Sequence, residues 1–219
     1  MSLHVAQLPL GPIGTNAYIL HSEGVSEAVV VDPAADAPEI ASALEQLGLS
    51  CAAILITHGH WDHLCAVADL AEATGAPVYM PAGERDLLEN LSEHVPPGVV
   101  GRSWTPDVVL EGGEALELAG IELAVLVVPG HSPAHLAYST PLNLFSGDVL
   151  FSGSVGRTDL PGANWDTLLS SIGLLIDLLP ADTVVHPGHG SVTTLGTEFA
   201  SNPFLDDLRA GREREDQSS

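Results

Sequence analysis

The sequence contains no lysine: its 6 basic residues are all arginines, against 29 acidic ones, for a formal net charge of −23. A nucleic-acid partner requires a basic stripe that displaces counterions from phosphates, and the only basic cluster is Arg209, Arg212 and Arg214 near the end of the chain. No nucleic-acid partner is therefore expected, and the acidic excess reads as a solubilising surface. Cysteine is scarce as well. Cys51 and Cys65 are too few for a disulfide framework, and both fall in a strand-to-helix stretch, so they read as buried free thiols. Long apolar runs are missing too: nothing approaches the roughly 18 uninterrupted residues of a membrane-spanning helix. The opening MSLHVAQLPLGP has neither the basic n-region nor the apolar h-region of a secretory signal. The expected location is cytoplasmic, with no membrane partner.

What is present is enough for one large core. A chain of 219 residues, 45% hydrophobic and with 22 glycines, fits a single domain better than two. Short Val/Ile/Leu runs bounded by Gly, Pro and Asp alternate with helical patterns, which indicates a layered α/β architecture. The pattern predicts strands at Ala17–Leu20, Ala28–Val31, Ala52–Thr57, Val78–Met80, Ile121–Val128, Leu144–Ser146 and Thr183–Val185. It predicts helices at Pro38–Leu47, His63–Ala73, Glu84–Leu91, Trp165–Leu178 and Thr194–Asn202. Between Leu110 and Leu126 glycine pairs punctuate short alternating runs in the manner of hairpins, so antiparallel strands are mixed in. The folded unit is expected to span residues 1–210, with 211–219 a disordered polar tail.

The chemical signal is Thr57-His58-Gly59-His60-Trp61-Asp62-His63, directly after an apolar strand. His58 and His60, two apart in extended chain, can point to one side, while Asp62 and His63 open the next helix and aim elsewhere, so one loop can serve two metals. A lone histidine is ordinarily a half-buried polar residue. Four ligand-type side chains within six positions, at the strand end where α/β folds build their sites, are not. Three further strands end alike, in Pro129-Gly130-His131, Gly147-Asp148 and His186-Pro187-Gly188-His189, each offering one ligand on a turn shaped by Gly or Pro.

THGHWDH, VPGHSPAH, FSGDVLFSGSVGRTDL and HPGHG, in this order, resemble the metallo-β-lactamase superfamily, specifically its glyoxalase II-like branch. GPIGTNAYIL, VVVDPAAD and TTLGTEFASNPFL extend the resemblance over nearly the whole chain. It implies a four-layer αββα sandwich of mixed sheets with a metal site at one edge. It also implies that His58, His60 and His131 hold one metal, that Asp62, His63 and His189 hold a second, and that Asp148 bridges them. The metals implied are two divalent ions, zinc first, with iron or manganese as alternatives, since such ligands discriminate weakly. His135 falls at the family's second-histidine position and is expected behind the ligands. His186 stands where the family usually has an apolar residue and reads as a strand-end histidine. Cys65 replaces a common glycine and reads as a buried helix residue, with a thiol near the site as the weaker reading, and Ser191 replaces a common proline.

The chemistry implied is hydrolysis of a small-molecule thioester by a hydroxide held between two metals, with Asp62 orienting the nucleophile. An ester or lactone is the weaker option. The full-length enzymes of that branch grip glutathione with basic side chains in a C-terminal helical region, and that clamp is not expected here. Arg157 is the one arginine near a ligand; it either binds a substrate carboxylate or braces its loop through a neighbouring acid. GRTD is also similar to the persulfide dioxygenases, which use one iron, so that reaction is the competing expectation. A non-catalytic binding module would have lost ligands, and none of the seven is lost. The oligomeric state is left open.

Overall fold

The structure, a computed structural model, describes residues 2–216. In chain order the elements are β1 (Leu3–Leu10), β2 (Thr15–Ser22), β3 (Glu27–Val31), α1 (Ala37–Leu47), β4 (Ser50–Leu55), α2 (Trp61–Leu64), α3 (Val67–Thr74), β5 (Val78–Pro81), α4 (Arg85–Glu89) and α5 (Leu91–His94). There follow β6 (Val108–Leu110), β7 (Ala115–Leu118), β8 (Ile121–Val127), β9 (Leu136–Ser139), β10 (Asn143–Gly147), β11 (Leu150–Phe151), β12 (Ser154–Val155), α6 (Trp165–Leu178), β13 (Val184–Pro187), β14 (Thr193–Thr194), α7 (Leu195–Ser201) and α8 (Asp206–Asp216). One six-stranded sheet runs β1-β2-β3-β4-β5-β6, and a second runs β14-β13-β10-β9-β8-β7. Both mix parallel and antiparallel pairs. No helix of the described residues is long and apolar enough to cross a membrane.

The period-2 alternation of side chains explains the layering. In β2, Ala17 and Ile19 join an outer cluster with Ile40 and Leu44 of α1 and Val67 and Leu70 of α3. Tyr18 and Leu20, the alternate residues, meet Leu123, Val125, Tyr138 and Phe145 of the other sheet. On the far side, Leu144 and Val185 pack against Leu168, Ile172 and Leu175, the i, i+4, i+7 stripe of α6. These three apolar layers between four layers of secondary structure make the αββα sandwich. Central strands buried on both faces read as continuous apolar runs, which is why they were legible.

Several elements differ from expectation. The helix expected from His63 to Ala73 is broken, because the Ala66 amide bonds the Pro33 carbonyl (3.1 Å) instead of continuing the helix. The segment expected as one helix from Glu84 to Leu91 is a 3₁₀ turn followed by two short helices that part at Asn90. β1 went unanticipated because Pro9 and its alternating polar residues weaken the strand signal; at a sheet edge both are tolerated. The stretch read as a polar tail is helical as far as Asp216. Arg212 ties it to α6 through Asp177 (2.8 Å) and the Gly173 carbonyl (3.0 Å), and its guanidinium lies over Phe199. Residues 217–219 of that stretch lie outside the described residues.

Candidate metal centre

Each sequence-predicted ligand sits just beyond a strand's C-terminal end. β4 leads through Ile56 and Thr57 into the loop His58–His60 and into α2, which carries Asp62 and His63. β8 leads to His131, β10 to Asp148 and β13 to His189. The close approach of these turns demands glycine. A Cβ on Gly188 would collide with Asp148 and lie 2.7 Å from His63 Cε1, while Gly147 takes φ 50° with Thr57 and His135 against it.

The seven side chains converge as two groups joined by one carboxylate. His60 Nδ1 lies 3.0 Å from His58 Nε2 and 2.8 Å from His131 Nε2. In the second group, Asp62 Oδ2 is 3.4 Å from His63 Nε2 and 3.3 Å from His189 Nε2. Asp148 stands between them: its Oδ2 is 3.5 Å from His131 Nε2 and 3.4 Å from His189 Nε2, and its Oδ1 is 3.4 Å from His63 Nε2. His58, His63 and His131 are buried, whereas the side chain of His189 is 29% exposed, so the cluster opens to solvent on that side.

Partners remote in sequence decide which ring nitrogen faces the cluster. His131 Nδ1 donates to the Arg157 carbonyl (2.9 Å) and leaves Nε2 as a lone pair. His63 Nδ1 donates to Asp32 Oδ2 (2.9 Å). The Thr57 hydroxyl donates to the same oxygen (2.7 Å) and accepts from His58 Nδ1 (3.0 Å), so Asp32 orients one histidine of each group. Asp32 also accepts the Thr57 amide (2.8 Å) and holds φ 48°, a left-handed conformation Asp tolerates better than most residues. Sequence reading passed over Asp32, although VVVDP ends a strand at the same edge. It also passed over Thr15, whose hydroxyl donates to Asp62 Oδ2 (2.8 Å), and Glu84, whose carboxylate accepts the Gly59 amide and the Ser132 hydroxyl. Asn16 and Tyr18 clamp the last ligand's turn through the Pro187 carbonyl, at 2.9 and 2.7 Å.

The electrostatics divide the two groups. Burial, with neighbouring imidazoles, holds His58 well below the usual histidine value and pushes His60 down to about 4, so both keep neutral lone pairs. Burial works against charge at His63 and His189 too, but carboxylates prevail: Asp148 and Asp32 raise His63 well above its ordinary value, and Asp148 and Asp62 raise His189 to about 9. Asp148 overcomes its own burial through His63 and His189 and stays ionised.

A metal pair fits these residues. Three imidazoles with converging lone pairs have too few protons to satisfy one another, and a buried cation resolves that conflict. His63 Nε2 and Asp148 Oδ1 are buried without a hydrogen-bond partner, both facing the second group. Such orphaned atoms call for an explanation, and an ion supplies it.

The remaining candidates fall outside this convergence. His135 is fully buried and stacks on His58 (centroids 4.6 Å, 18°), and its Nε2 accepts the Asp148 amide (3.2 Å), which places it behind the ligands. The Arg157 guanidinium is exposed and paired bidentately with Asp159 (2.7 Å twice), the bracing arrangement; only its carbonyl touches the site. Cys65 is half-buried beside Asp62, its thiol donating to the Trp61 carbonyl (3.0 Å), and burial pushes it up to about 11, as it does Cys51.

His186 packs on Phe145 and Tyr18, bonds Asn143 (3.0 Å) and is pushed by burial down to about 4. The unfolded chain protonates this ring near pH 6.5, the folded one near 4. The stability that comes from keeping it neutral is therefore complete above 6.5 and is lost as pH falls towards 4. Relative to wild type, His186→Phe should lose about 1–2 kcal/mol less unfolding free energy between pH 7 and pH 5. Urea titrations at the two pH values check this; equal losses would exclude His186 as an acid-sensitive group.

Comparison with known proteins places these features in a family. Probable metallo-hydrolase YqgX of Bacillus subtilis (strain 168) is 37% identical over 204 residues, which cover 91% of this chain and 96% of that one. Hydroxyacylglutathione hydrolase GloC of Haemophilus influenzae is 37% identical over 187 residues, 81% of this chain and 87% of its own. Among solved structures, the BLEG-1 B3 metallo-beta-lactamase superposes with a TM-score of 0.87 at 40% identity, covering 93% of this chain and 100% of that one. TTHA1623 in a di-iron-bound form superposes at 0.83 with 41% identity, covering 91% and 100%. With the metallo-beta-lactamase superfamily profile matched across residues 10–189, from the end of β1 to the last histidine of the cluster, the chain belongs to the metallo-beta-lactamase superfamily.

Proposed function

We propose that this protein is a dinuclear metal-dependent hydrolase of small thioesters. The observation that carries the reading is Asp148, which reaches His131 in one ligand group and His63 and His189 in the other. His58, His60 and His131 would hold one cation, Asp62, His63 and His189 the other, and Asp148 would bridge them. Zinc is the assignment, with iron or manganese as alternatives; the di-iron relative supports two ions per chain without selecting the element. When bound, two such cations supply Lewis acidity and bring a water's pKa towards about 7.

The chain's own residues do the rest. Asp62, pinned by the Thr15 hydroxyl, orients the attacking water, and the Asp32–Thr57 relay keeps the His58 and His63 lone pairs aimed inward. A cleft of about 580 Å3 borders Thr15 and Asp62, walled by Leu10, Pro12, Ile13, Trp61, Val99 and Val100. Its ionisable side chains are Asp36, Asp62 and Asp69 beside the Cys65 thiol, with no basic group among the described residues. Asp69 already pairs with Arg102 (2.5 Å). Such a cleft suits an apolar, uncharged substrate arm, and a thiolate leaving group needs little protonation, which suits a site without an evident acid. Acyl-thioester chemistry also comes from the name of the Haemophilus influenzae relative.

The test combines metal analysis with turnover. Two equivalents of zinc per chain and hydrolysis of a short-chain thioester are expected. One bound iron with oxygen uptake on a persulfide substrate would replace the hydrolase with a dioxygenase, and turnover of β-lactams alone would move it towards the lactamase.

A further inference from the structure

Glu84 lies at the end of the 3₁₀ turn after β5, and its carboxylate is buried. Oε2 accepts the amide of Gly59, the residue between His58 and His60 (2.5 Å). Oε1 accepts the Ser132 hydroxyl (2.5 Å) and the Ala134 amide (2.9 Å), both in the turn that carries His131. The backbone is fitted equally closely: a Cβ on Gly59 would meet Leu87 and Glu84, and one on Gly83 would lie 2.7 Å from the Ala134 Cβ. No hydrogen bond of Glu84 reaches the segments carrying Asp62, His63 or His189. Asp62 and His63 are tied to Thr15 and Asp32 instead, and the turn of His189 to Asn16 and Tyr18.

We infer that Glu84 is the positioning residue of one metal site only: it clamps the two loops that present His58, His60 and His131, and it sets the affinity of that site independently of the other. The inference rests on the dinuclear reading above. A charged carboxylate accepting three hydrogen bonds in a buried place holds its donors more firmly than neutral acceptors do. Amide substitution is not neutral here, since a glutamine that keeps its oxygen on Ser132 and Ala134 turns an NH2 towards the Gly59 N–H, donor against donor. Loss of such a partner behind a ligand set typically weakens metal binding about 10- to 100-fold.

The test is competitive zinc titration of Glu84→Gln in three backgrounds, with a chromophoric chelator as the reporter. In the otherwise wild-type protein one zinc should weaken about 10- to 100-fold and the other stay within about 2-fold. In a His189→Ala background, which cripples the second site, the full loss should persist. In a His131→Ala background, which cripples the first, Glu84→Gln should have no further effect. Ser132→Ala, which removes one of the three bonds, serves as the milder variant should Glu84→Gln fold poorly, and should shift the same site by about 3- to 10-fold, the net worth of one ordinary hydrogen bond. Melting of the metal-free proteins separates folding from binding. Equal weakening of both sites, or loss surviving in the His131→Ala background, overturns the inference. A wild-type protein that binds a single ion overturns the dinuclear reading instead.

Discussion

Replacing Asp148 by alanine is expected to strip the protein of both ions at micromolar chelator concentrations and to lower kcat/KM by at least about 10^2- to 10^3-fold, the order reached when one charge-stabilising group is lost from a hydrolytic site. The reason is positional. Asp148 offers one oxygen between His131 and His189 and the other to His63, so no other ligand of the seven can substitute for it in either group. Its loss also removes a negative charge that faces both groups, which weakens the attraction for any incoming cation. His135→Ala makes the contrast. That substitution leaves a cavity against His58 and strands the Asp148 amide, at a cost of about 2–4 kcal/mol in stability, yet occupancy should remain near two equivalents. Metal analysis of the two purified variants decides between the roles. A full equivalent lost from His135→Ala would make that ring a ligand.

The second large effect concerns the substrate. A neutral short-chain thioester should be hydrolysed with a kcat/KM at least about 10-fold above that for S-lactoylglutathione, because the latter's carboxylates would enter a cleft whose lining has no basic side chain to receive them among the described residues. A protein of formal charge −23 repels the same anion before it arrives, so lowering the ionic strength should widen the gap. Val100 is 83% exposed on the cleft wall, and Val100→Arg should raise turnover of the glutathione ester about 2- to 5-fold, the range of a solvent-screened ion pair, with little effect on the neutral ester. Efficient use of S-lactoylglutathione by the unmodified protein would refute the argument from charge, and an unchanged ratio in Val100→Arg would detach the cleft from recognition.

Much of the fold and all seven candidate ligands were legible in the sequence for local reasons. β2, β3 and β4 are apolar on both faces, so they appear as uninterrupted runs whatever their neighbours, and α6 shows its stripe at Leu168, Ile172 and Leu175. The ligands announce themselves by residue type and by position after a strand, next to glycines such as Gly147 and Gly188 that close packing requires. The helical course of residues 211–216 was not legible, because its polar composition is that of a solvated tail and the interactions that fasten it come from Asp177, Gly173 and Phe199.

The parts of the site that stayed hidden share one property, which is separation along the chain. Thr15 meets Asp62 across 47 positions, Asp32 meets His63 across 31, and Glu84 meets Ser132 across 48. Nothing in the neighbourhood of a threonine, an aspartate or a glutamate distinguishes an acceptor that orients an imidazole from one that is merely solvated. Arg157 shows the converse: its place beside the site was evident, but only the fold shows its guanidinium held by Asp159 and its carbonyl facing His131. The sequence by itself determined which side chains are available for metal chemistry and at which strand ends they lie, because residue type and hydrophobic period are local properties. Only the tertiary structure decided which nitrogen of each histidine points inward and which distant acceptors hold it there, because hydrogen bonds act over about 3 Å and depend on which distant segments the packed sheets bring together.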